Sequence, residues 1–326
     1  MPPLRDPSRR SAAASLLAIA VLVLTAACGT TAGAGSGSAG SDRPDQAVVT
    51  SFYPLQFAVE QITGGAVPVT VLTKPGTEPH DLELAPQDIA TMSKARLVVY
   101  ADGFQPAVDD AIAEVQPGSV LDVADAAQLS LTLAEESGQA GESPQEHGNH
   151  DHSGNDPHFW LDPQRYAAVV KVIGARLAKD DPAHAAAYDR NTASLVTRLT
   201  ALDGQFRTGL ASCRSTVLVT SHAAFGYLAQ RYGLQQHGIS GVSPDTEPSG
   251  AALKQIADLV RSRGVTTIYQ ETLVEPHLAQ TVAGTTGATV ATLDPLEGIT
   301  SASAGKDYFE VMHSNLKALQ KGLGCS

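Results

Sequence analysis

Four polar residues, three of them histidines, occupy positions from which they could bind a metal ion. They are His80, His158, His222 and Asp294. Each follows a segment with the pattern of a β-strand, and open parallel sheets place their ligands at the carboxyl ends of their strands. Imidazole and carboxylate groups suit zinc in four-fold geometry, and they bind Mn²⁺ or Fe²⁺ less tightly. The set therefore predicts a transition-metal site, with Zn²⁺ as the preferred ion.

Each of these residues also has a purely structural interpretation. A single histidine after a strand commonly caps a loop, and Asp before Pro commonly begins a turn. Four such residues after corresponding strands of two similar halves are harder to explain in this way. The joint placement therefore favours a shared metal site between the halves.

The elements that must position these residues alternate between apolar, β-branched runs and helical patterns. Strands are predicted at 47–51, 67–73, 96–101, 119–123, 215–221, 233–240, 265–271 and 288–294. Helices are predicted between them at 54–63, 86–95, 105–115, 223–232, 248–263 and 275–286. This alternation is typical of βαβ units. It predicts an α/β fold of two lobes, each a four-stranded, mainly parallel sheet flanked by helices.

A long helical pattern separates the two halves. Residues 181–211 have apolar positions at helical spacing and no proline after Pro182, which favours one uninterrupted helix. We expect a rigid linker helix between an N-terminal lobe at 46–180 and a C-terminal lobe at 212–326.

The amino terminus has the composition of an export signal. Residues 1–27 combine a basic segment, an apolar core and a small-residue exit, in secretory order. Cys28 followed by Gly29 resembles a bacterial lipobox, which predicts a lipid-modified Cys28; ordinary signal cleavage nearby is the alternative. Residues 28–45 form a Gly/Ser/Ala-rich tether. We expect an extracytoplasmic protein, lipid-anchored to the outer face of the cytoplasmic membrane.

Composition narrows the classes of function. The sequence has 22 basic and 34 acidic residues and a net charge of −12, which argues against nucleic acid as a partner. Aromatic residues make up only 5% of the chain, which disfavours a receptor for an organic solute. A zinc-dependent hydrolase is a further alternative, but the sequence contains no HExxH motif. Binding without catalysis is the preferred interpretation.

Residues 134–157 have almost no apolar content, which predicts a mobile loop rather than core. Cys213 and Cys325 remain once Cys28 is assigned to the lipid, and disulfides persist outside the cytoplasm. We predict that they are bridged; two unpaired thiols are the alternative. His184, His237, His277 and His313 are interpreted as surface or structural, although His237, Glu271 and Glu275 lie near enough to the expected cleft to support a ligand.

Several motifs in register resemble the zinc-type metal-receptor lipoproteins (cluster A-I) of bacterial zinc and manganese ABC importers. They are PGTEPHDLELAPQDI, DPHFWLDP, VTSHAAFGYLAQRYGL, IYQETLVEP and LDPLEG, and the resemblance runs from about residue 46 to the end. It implies ligands at His80, His158, His222 and Asp294, and a monomer that delivers metal to an ABC importer permease. Manganese-type relatives typically have Glu as the third ligand, so His222 supports the zinc type.

The resemblance also concerns the fourth ligand and a possible second zinc-binding segment. Some zinc receptors of the family use a nearby acidic residue or water in place of the final Asp. The segment with His147, His150 and His152 resembles, in shortened form, a His-rich loop of zinc-specific relatives. These histidines would hold zinc weakly and either pass it inward or sense its abundance. A solvated loop without such a role is the alternative.

Overall fold

The computed structural model describes residues 47–132, 154–244 and 247–326. The predicted signal segment, the tether and four candidate residues lie outside this part of the chain: Cys28, His147, His150 and His152. Among the described residues, no helix is both long and apolar enough to cross a membrane.

The N-terminal sheet has four strands, all parallel, in the order β2-β1-β3-β4. The strands are β1 (Val48–Thr50), β2 (Val69–Val71), β3 (Leu97–Tyr100) and β4 (Val120–Asp122). The two central strands, VVT and LVVY, are wholly buried. Such continuous apolar runs are typical of parallel strands that helices cover on both faces.

The C-terminal sheet repeats this arrangement in the order β6-β5-β7-β8, again all parallel. Its strands are β5 (Val217–Thr220), β6 (Gln235–Gly238), β7 (Thr267–Gln270) and β8 (Thr289–Thr292). In both sheets the strand order reverses beside the first strand, and a crevice for ligands opens outside the carboxyl ends of the strands at such a point. The predicted fold class and all eight predicted strands are confirmed.

Ten α-helices connect and cover the strands within the described ranges. They are α1 (Tyr53–Thr63), α2 (Pro86–Lys94), α3 (Pro106–Ile112), α4 (Ala124–Ala127), α5 (Pro163–Asp180), α6 (Ala185–Gly209), α7 (Gly226–Tyr232), α8 (Gly250–Arg263), α9 (His277–Thr286) and α10 (Tyr308–Leu323).

The long linking helix is α6, which has 25 residues and spans about 37 Å at 1.5 Å per residue. Helix α5 was not predicted, although Asp162 caps it by accepting a hydrogen bond from the Gln164 amide and Pro163 begins it. A short turn connects α5 to α6, so the two helices form a hairpin. They pack so closely that a Cβ on Gly174 would overlap Thr192. The linker is therefore braced along its length by a second helix.

One apolar core continues from one half to the other. It includes Phe52 beside the N-terminal sheet, Trp160 at the turn before α5, and Leu293 after β8. Cys213 and Cys325 form a disulfide that joins the start of the C-terminal half to the end of the chain, as predicted. Because the core is shared, the carboxyl ends of both sheets are held at a common crevice.

Candidate metal centre

Three of the four predicted ligands come together between the two sheets. The Nε2 atoms of His80 and His158 are 3.3 Å apart, and those of His158 and His222 are 3.4 Å apart. A carboxylate oxygen of Glu297 completes the group, and all four donor atoms lie within 4.8 Å of one another.

Five of the six distances between these donor atoms are near those of a tetrahedral zinc site. Oε1 of Glu297 lies 2.9 Å from Nε2 of His158, 3.5 Å from Nε2 of His222 and 3.6 Å from Nε2 of His80. Two donors that are each about 2.1 Å from a tetrahedral zinc ion are about 3.4 Å from each other. An ion at the centre of the group would therefore contact all four atoms with little movement.

Each half contributes two donors from the carboxyl ends of its strands. His222 comes two residues after β5, where the Thr220 hydroxyl donates to the His222 carbonyl at 2.6 Å. His80 lies on the segment between β2 and α2. The buried Gln105 amide fixes that segment by donating to the Pro79 carbonyl at 3.1 Å. The backbone next to each ligand is thus held by a side chain of its own half.

Two buried carboxylates orient the two innermost histidines. Oδ1 of Asp156 lies 2.7 Å from Nδ1 of His158, and Oε2 of Glu271 lies 2.5 Å from Nδ1 of His222. The same carboxylates accept the backbone N–H of these histidines at 2.8 and 2.9 Å. A carboxylate behind Nδ1 keeps a proton on that nitrogen and leaves Nε2 to face a metal.

Burial and charge act against each other at these histidines. Burial lowers the pKa of His158, but the Asp156 carboxylate, together with Glu297, outweighs it and raises the pKa to about 9. Burial likewise lowers the pKa of His222, and Glu271 and Glu297 raise it well above its usual value. Burial would raise the pKa of Glu297, but His222, His158 and His80 hold it well below its usual value. His158, His222 and Glu297 therefore form a cluster of charged, hydrogen-bonded partners.

His80 lies at the mouth of the site. Its side chain is 10% exposed, whereas those of His158, His222 and Glu297 are fully buried. Burial lowers the pKa of His80, so its imidazole is neutral near pH 7. The neighbouring Glu78 has its pKa raised to about 8 by burial and by the charge of Glu297.

Asp294, the expected fourth ligand, lies outside the cluster, and Glu297 takes that place. Oδ1 of Asp294 accepts the Leu296 N–H at 2.8 Å, and the Asn315 side chain bonds both its backbone N–H and its carbonyl. This turn puts Leu296 in the left-handed region at φ 59°, a conformation that costs about 1 kcal/mol. Asp294 thereby shapes the turn that directs Glu297 inward. The LDPLEG sequence alone does not predict a left-handed conformation for Leu296.

Trp160 links the halves directly beneath the site. Its indole N–H donates to the Pro295 carbonyl at 2.7 Å, and its ring lies 5.2 Å from that of His158. Trp160 is fully buried. It therefore supports both a histidine of the N-terminal half and the turn that carries Glu297.

Comparison with known proteins identifies the family of this chain. The family described as zinc-uptake complex component A, periplasmic, matches residues 48–322. The chain belongs to this family. It is 36% identical to the high-affinity zinc uptake system protein ZnuA of Bacillus subtilis (strain 168), over 93% of this chain and 95% of that protein. It is 35% identical to the zinc-binding protein AdcA of Streptococcus pyogenes serotype M3, over 84% of this chain.

The chain spans about half the length of the AdcA proteins, since the match covers 55% of that relative. Among solved structures, the laminin-binding protein Lmb of Streptococcus agalactiae has a TM-score of 0.73 at 31% identity, over 85% of this chain and 99% of that one. The Zn(II)-bound ZnuA-like domain of Streptococcus pneumoniae AdcA has a TM-score of 0.69 at 32% identity, over 86% and 99%. These family structures share the two-sheet architecture described above.

The two acidic residues that orient the histidines, Asp156 and Glu271, were not assigned from the sequence. Asp156 falls within 134–157, predicted as mobile loop, yet it is fully buried against His158, so that prediction is wrong at the end of the segment. Glu271, which the sequence left as a possible support, contacts His222. The sequence did offer a sign of the role of Asp156, because Glu78 likewise precedes a predicted ligand, His80, by two residues.

Proposed function

We propose that this protein is an extracytoplasmic receptor that binds Zn²⁺ through His80, His158, His222 and Glu297 and delivers it to an ABC-type importer. The observation that carries the proposal is the tetrahedral spacing of the three Nε2 atoms and the Glu297 oxygen. Family membership supports it, because the relatives are named for zinc uptake and zinc binding.

The donor chemistry favours zinc over manganese and ferrous iron. Three imidazole nitrogens and one carboxylate oxygen suit Zn²⁺ in four-fold geometry, whereas Mn²⁺ prefers more oxygen donors in octahedral geometry. Glu297, Asp156 and Glu271 place three carboxylates around the centre, and their negative charge attracts a divalent cation. The cargo is therefore Zn²⁺, with Mn²⁺ and Fe²⁺ bound less tightly.

Binding without catalysis fits the enclosed donor set. Catalytic zinc sites keep one position open for water, whereas four protein donors here occupy all four positions. Incubation of the zinc-loaded protein with ester, amide and phosphate substrates should give no turnover above that of free zinc. Turnover that disappears with His158→Ala would instead support a hydrolase.

Further parts of the proposal concern location and organisation. We assign residues 1–27 to a signal segment, Cys28 to lipid attachment, 28–45 to a tether and 181–211 to the linker between lobes at 46–180 and 212–326. Support for the anchor comes from the lipobox-like sequence and from a Streptococcus pneumoniae relative named as a zinc-binding lipoprotein. Radiolabelled palmitate should enter the wild-type protein but not Cys28→Ala. The mature receptor is expected to be a monomer that docks on the importer permease.

The decisive experiment is competition for Zn²⁺ between the purified protein and a chromophoric chelator. Wild-type protein should bind zinc at the cleft, and Glu297→Ala should weaken binding by at least about tenfold, which is about 1.4 kcal/mol. His313→Ala is the matched control, because His313 contacts Gln205 on the surface. No zinc binding, or tighter binding of Mn²⁺ than of Zn²⁺, would overturn the proposal.

We propose that His147, His150 and His152 bind additional zinc weakly and pass it to the cleft. Deleting 134–153 should lower the zinc stoichiometry and leave the cleft affinity unchanged. The deletion must end before Asp156, because that residue supports His158. An unchanged stoichiometry would remove the three histidines from the transport route.

A further inference from the structure

We propose that Tyr227, whose hydroxyl hydrogen-bonds to none of the candidate ligands among the described residues, is a positioning residue for the metal site. It holds the segment that carries Asp156 and so fixes the orientation of His158. This inference rests on the proposed zinc-binding function. It concerns a chain of contacts that begins in the C-terminal half and ends at a ligand of the N-terminal half.

The Tyr227 hydroxyl accepts two backbone hydrogen bonds from the N-terminal half. The Ser130 N–H donates to it at 3.0 Å and the Leu131 N–H at 3.3 Å. The tyrosine itself is fully buried and belongs to α7, which begins four residues after His222. One side chain on the His222 segment therefore holds backbone from the other half.

Arg165 keeps this tyrosine and the same backbone together. Its guanidinium lies 4.3 Å from the centre of the Tyr227 ring. It also donates to the carbonyls of Ala127 and Gln128 and to the Ser130 hydroxyl. A guanidinium that stacks on a ring while donating to several acceptors immobilises both partners. The segment 127–131 is thus held from two sides.

The segment 127–131 is hydrogen-bonded to Asp156 and so fixes its position. The Leu131 carbonyl accepts the Asp156 N–H at 2.8 Å, and Thr132 pairs with Asn155 in an antiparallel bridge. Asp156 then binds both the backbone N–H and Nδ1 of His158 through one oxygen. Three consecutive contacts therefore join the Tyr227 hydroxyl to a ligand imidazole.

The physical effect of this chain is preorganisation. A ligand held in its binding geometry before the ion arrives spends less free energy on ordering when the ion binds. Groups behind the ligands of metal sites typically change metal affinity by about 10- to 100-fold when removed. Because Tyr227 acts through Leu131 and Asp156, its removal should have an effect near the lower end of that range.

The test is Tyr227→Phe, which removes the hydroxyl and keeps the ring under Arg165. We expect the Kd for Zn²⁺ to rise by about tenfold, mainly through faster dissociation in stopped-flow chelator exchange. Tyr269→Phe is the matched control, because Tyr269 is equally buried and its hydroxyl donates to the Ala318 carbonyl on α10. Its Kd should equal that of the wild type, with a similar change in apo thermal stability.

A double-mutant cycle with Asp156→Asn separates positioning from a general loss of structure. If Tyr227 acts through Asp156, Tyr227→Phe should have little further effect on Kd in the Asp156→Asn background. Arg165→Met gives a second variant that leaves the hydroxyl in place, and it should weaken zinc binding in the same direction.

The inference is overturned if Tyr227→Phe binds zinc as tightly as wild type, or if the two losses are additive. Either result would leave the receptor proposal intact, because wild-type protein would still bind zinc. Absence of zinc binding by the wild type would instead overturn the receptor proposal itself. The two failures are therefore distinguishable in one set of titrations.

Discussion

The sequence contains two similar segments that end in the ligands of the N-terminal half, Glu78-Pro79-His80 and Asp156-Pro157-His158. In both, the acid accepts the backbone N–H of the histidine two residues later, at 3.1 and 2.8 Å. Asp156 also reaches Nδ1 of its histidine, whereas among the described residues no carboxylate supports Nδ1 of His80. The same local turn thus gives one rigid ligand and one freer ligand.

This difference follows from side-chain length and from position. The shorter Asp156 side chain is fully buried and its oxygen lies against the ring, while Glu78 is partly exposed and bonds only to the backbone of His80. His80 also lies at the mouth, so it is the ligand that an arriving ion meets first. We infer that His158 and His222 form the fixed base of the site and that His80 closes it.

The largest expected effect is the loss of a base ligand. His158→Ala should raise the Kd for Zn²⁺ by at least about 100-fold, or about 2.7 kcal/mol, because the site loses a fully buried donor and Asp156 is left buried without its partner. His80→Ala should raise it by about tenfold, since water can replace a ligand at the mouth. Chelator competition measures both. Equal losses would show that the two histidines are equivalent.

Substitution of Asp156 should weaken zinc binding more than substitution of Glu78, just as His158 should matter more than His80. Asp156→Asn is expected to weaken zinc binding by about 10- to 100-fold, because an amide no longer holds the proton on Nδ1. Glu78→Gln keeps an acceptor for the His80 N–H and should change the Kd by less than about threefold. Isothermal titration of both variants checks this pair. A larger increase in Kd for Glu78→Gln than for Asp156→Asn would contradict the inference that His158 is the fixed ligand and His80 the freer one.

Binding should tighten as pH rises, by about tenfold per pH unit for each proton that zinc displaces. The pKa of His158 is raised to about 9 and that of His222 is raised well above its usual value, so both hold a proton at pH 7 that zinc must displace. The affinity should therefore increase between pH 6 and 8 and level off only above about 9.

His80 should contribute nothing to this slope near neutral pH, because its pKa is lowered. His80→Ala should keep the wild-type slope, and His158→Ala should lose about one proton from it. Zinc titrations in buffers of different ionisation enthalpy count the released protons directly. A slope that is lower in His80→Ala than in His158→Ala would contradict the pKa directions given above.

The smallest effect is expected at Asp294. Asp294→Asn retains the oxygen that accepts the Leu296 N–H, so the turn should persist and the Kd should change by less than about threefold. The Glu297→Ala variant serves as the reference for loss of a donor. If Asp294→Asn were as damaging as Glu297→Ala, Asp294 would have to enter the coordination sphere when zinc binds.

The sequence predicted the elements that have a repeating pattern, but not the residue whose direction depends on a single backbone angle. The strands were readable because β-branched runs recur at even intervals, and His222 was readable because it follows such a run. Glu297 was missed because the left-handed Leu296 turns the chain so that the residue three positions beyond Asp294 faces the site. Asp294 shapes that turn together with Asn315 and Trp160, and the contacts with these two distant residues are not visible in the local sequence.

The acid–proline–histidine pattern shows a second limit. It occurs again at Glu275-Pro276-His277, where His277 is an exposed residue that begins α9. Only the fold distinguishes this copy from the two in the site, because the motif is at the start of a helix rather than above the crevice. Helix α5 was also missed, although Asp162 caps it and Pro163 begins it.

The position of Trp160 has a practical consequence. It is the single tryptophan of the chain, and it is enclosed beside His158 with its N–H on the Pro295 carbonyl. A protonated imidazole quenches indole fluorescence, and an ion that displaces the proton changes that quenching. The tryptophan emission of this protein therefore originates at one point next to the proposed metal site, and it can report the binding and release of metal without any added label.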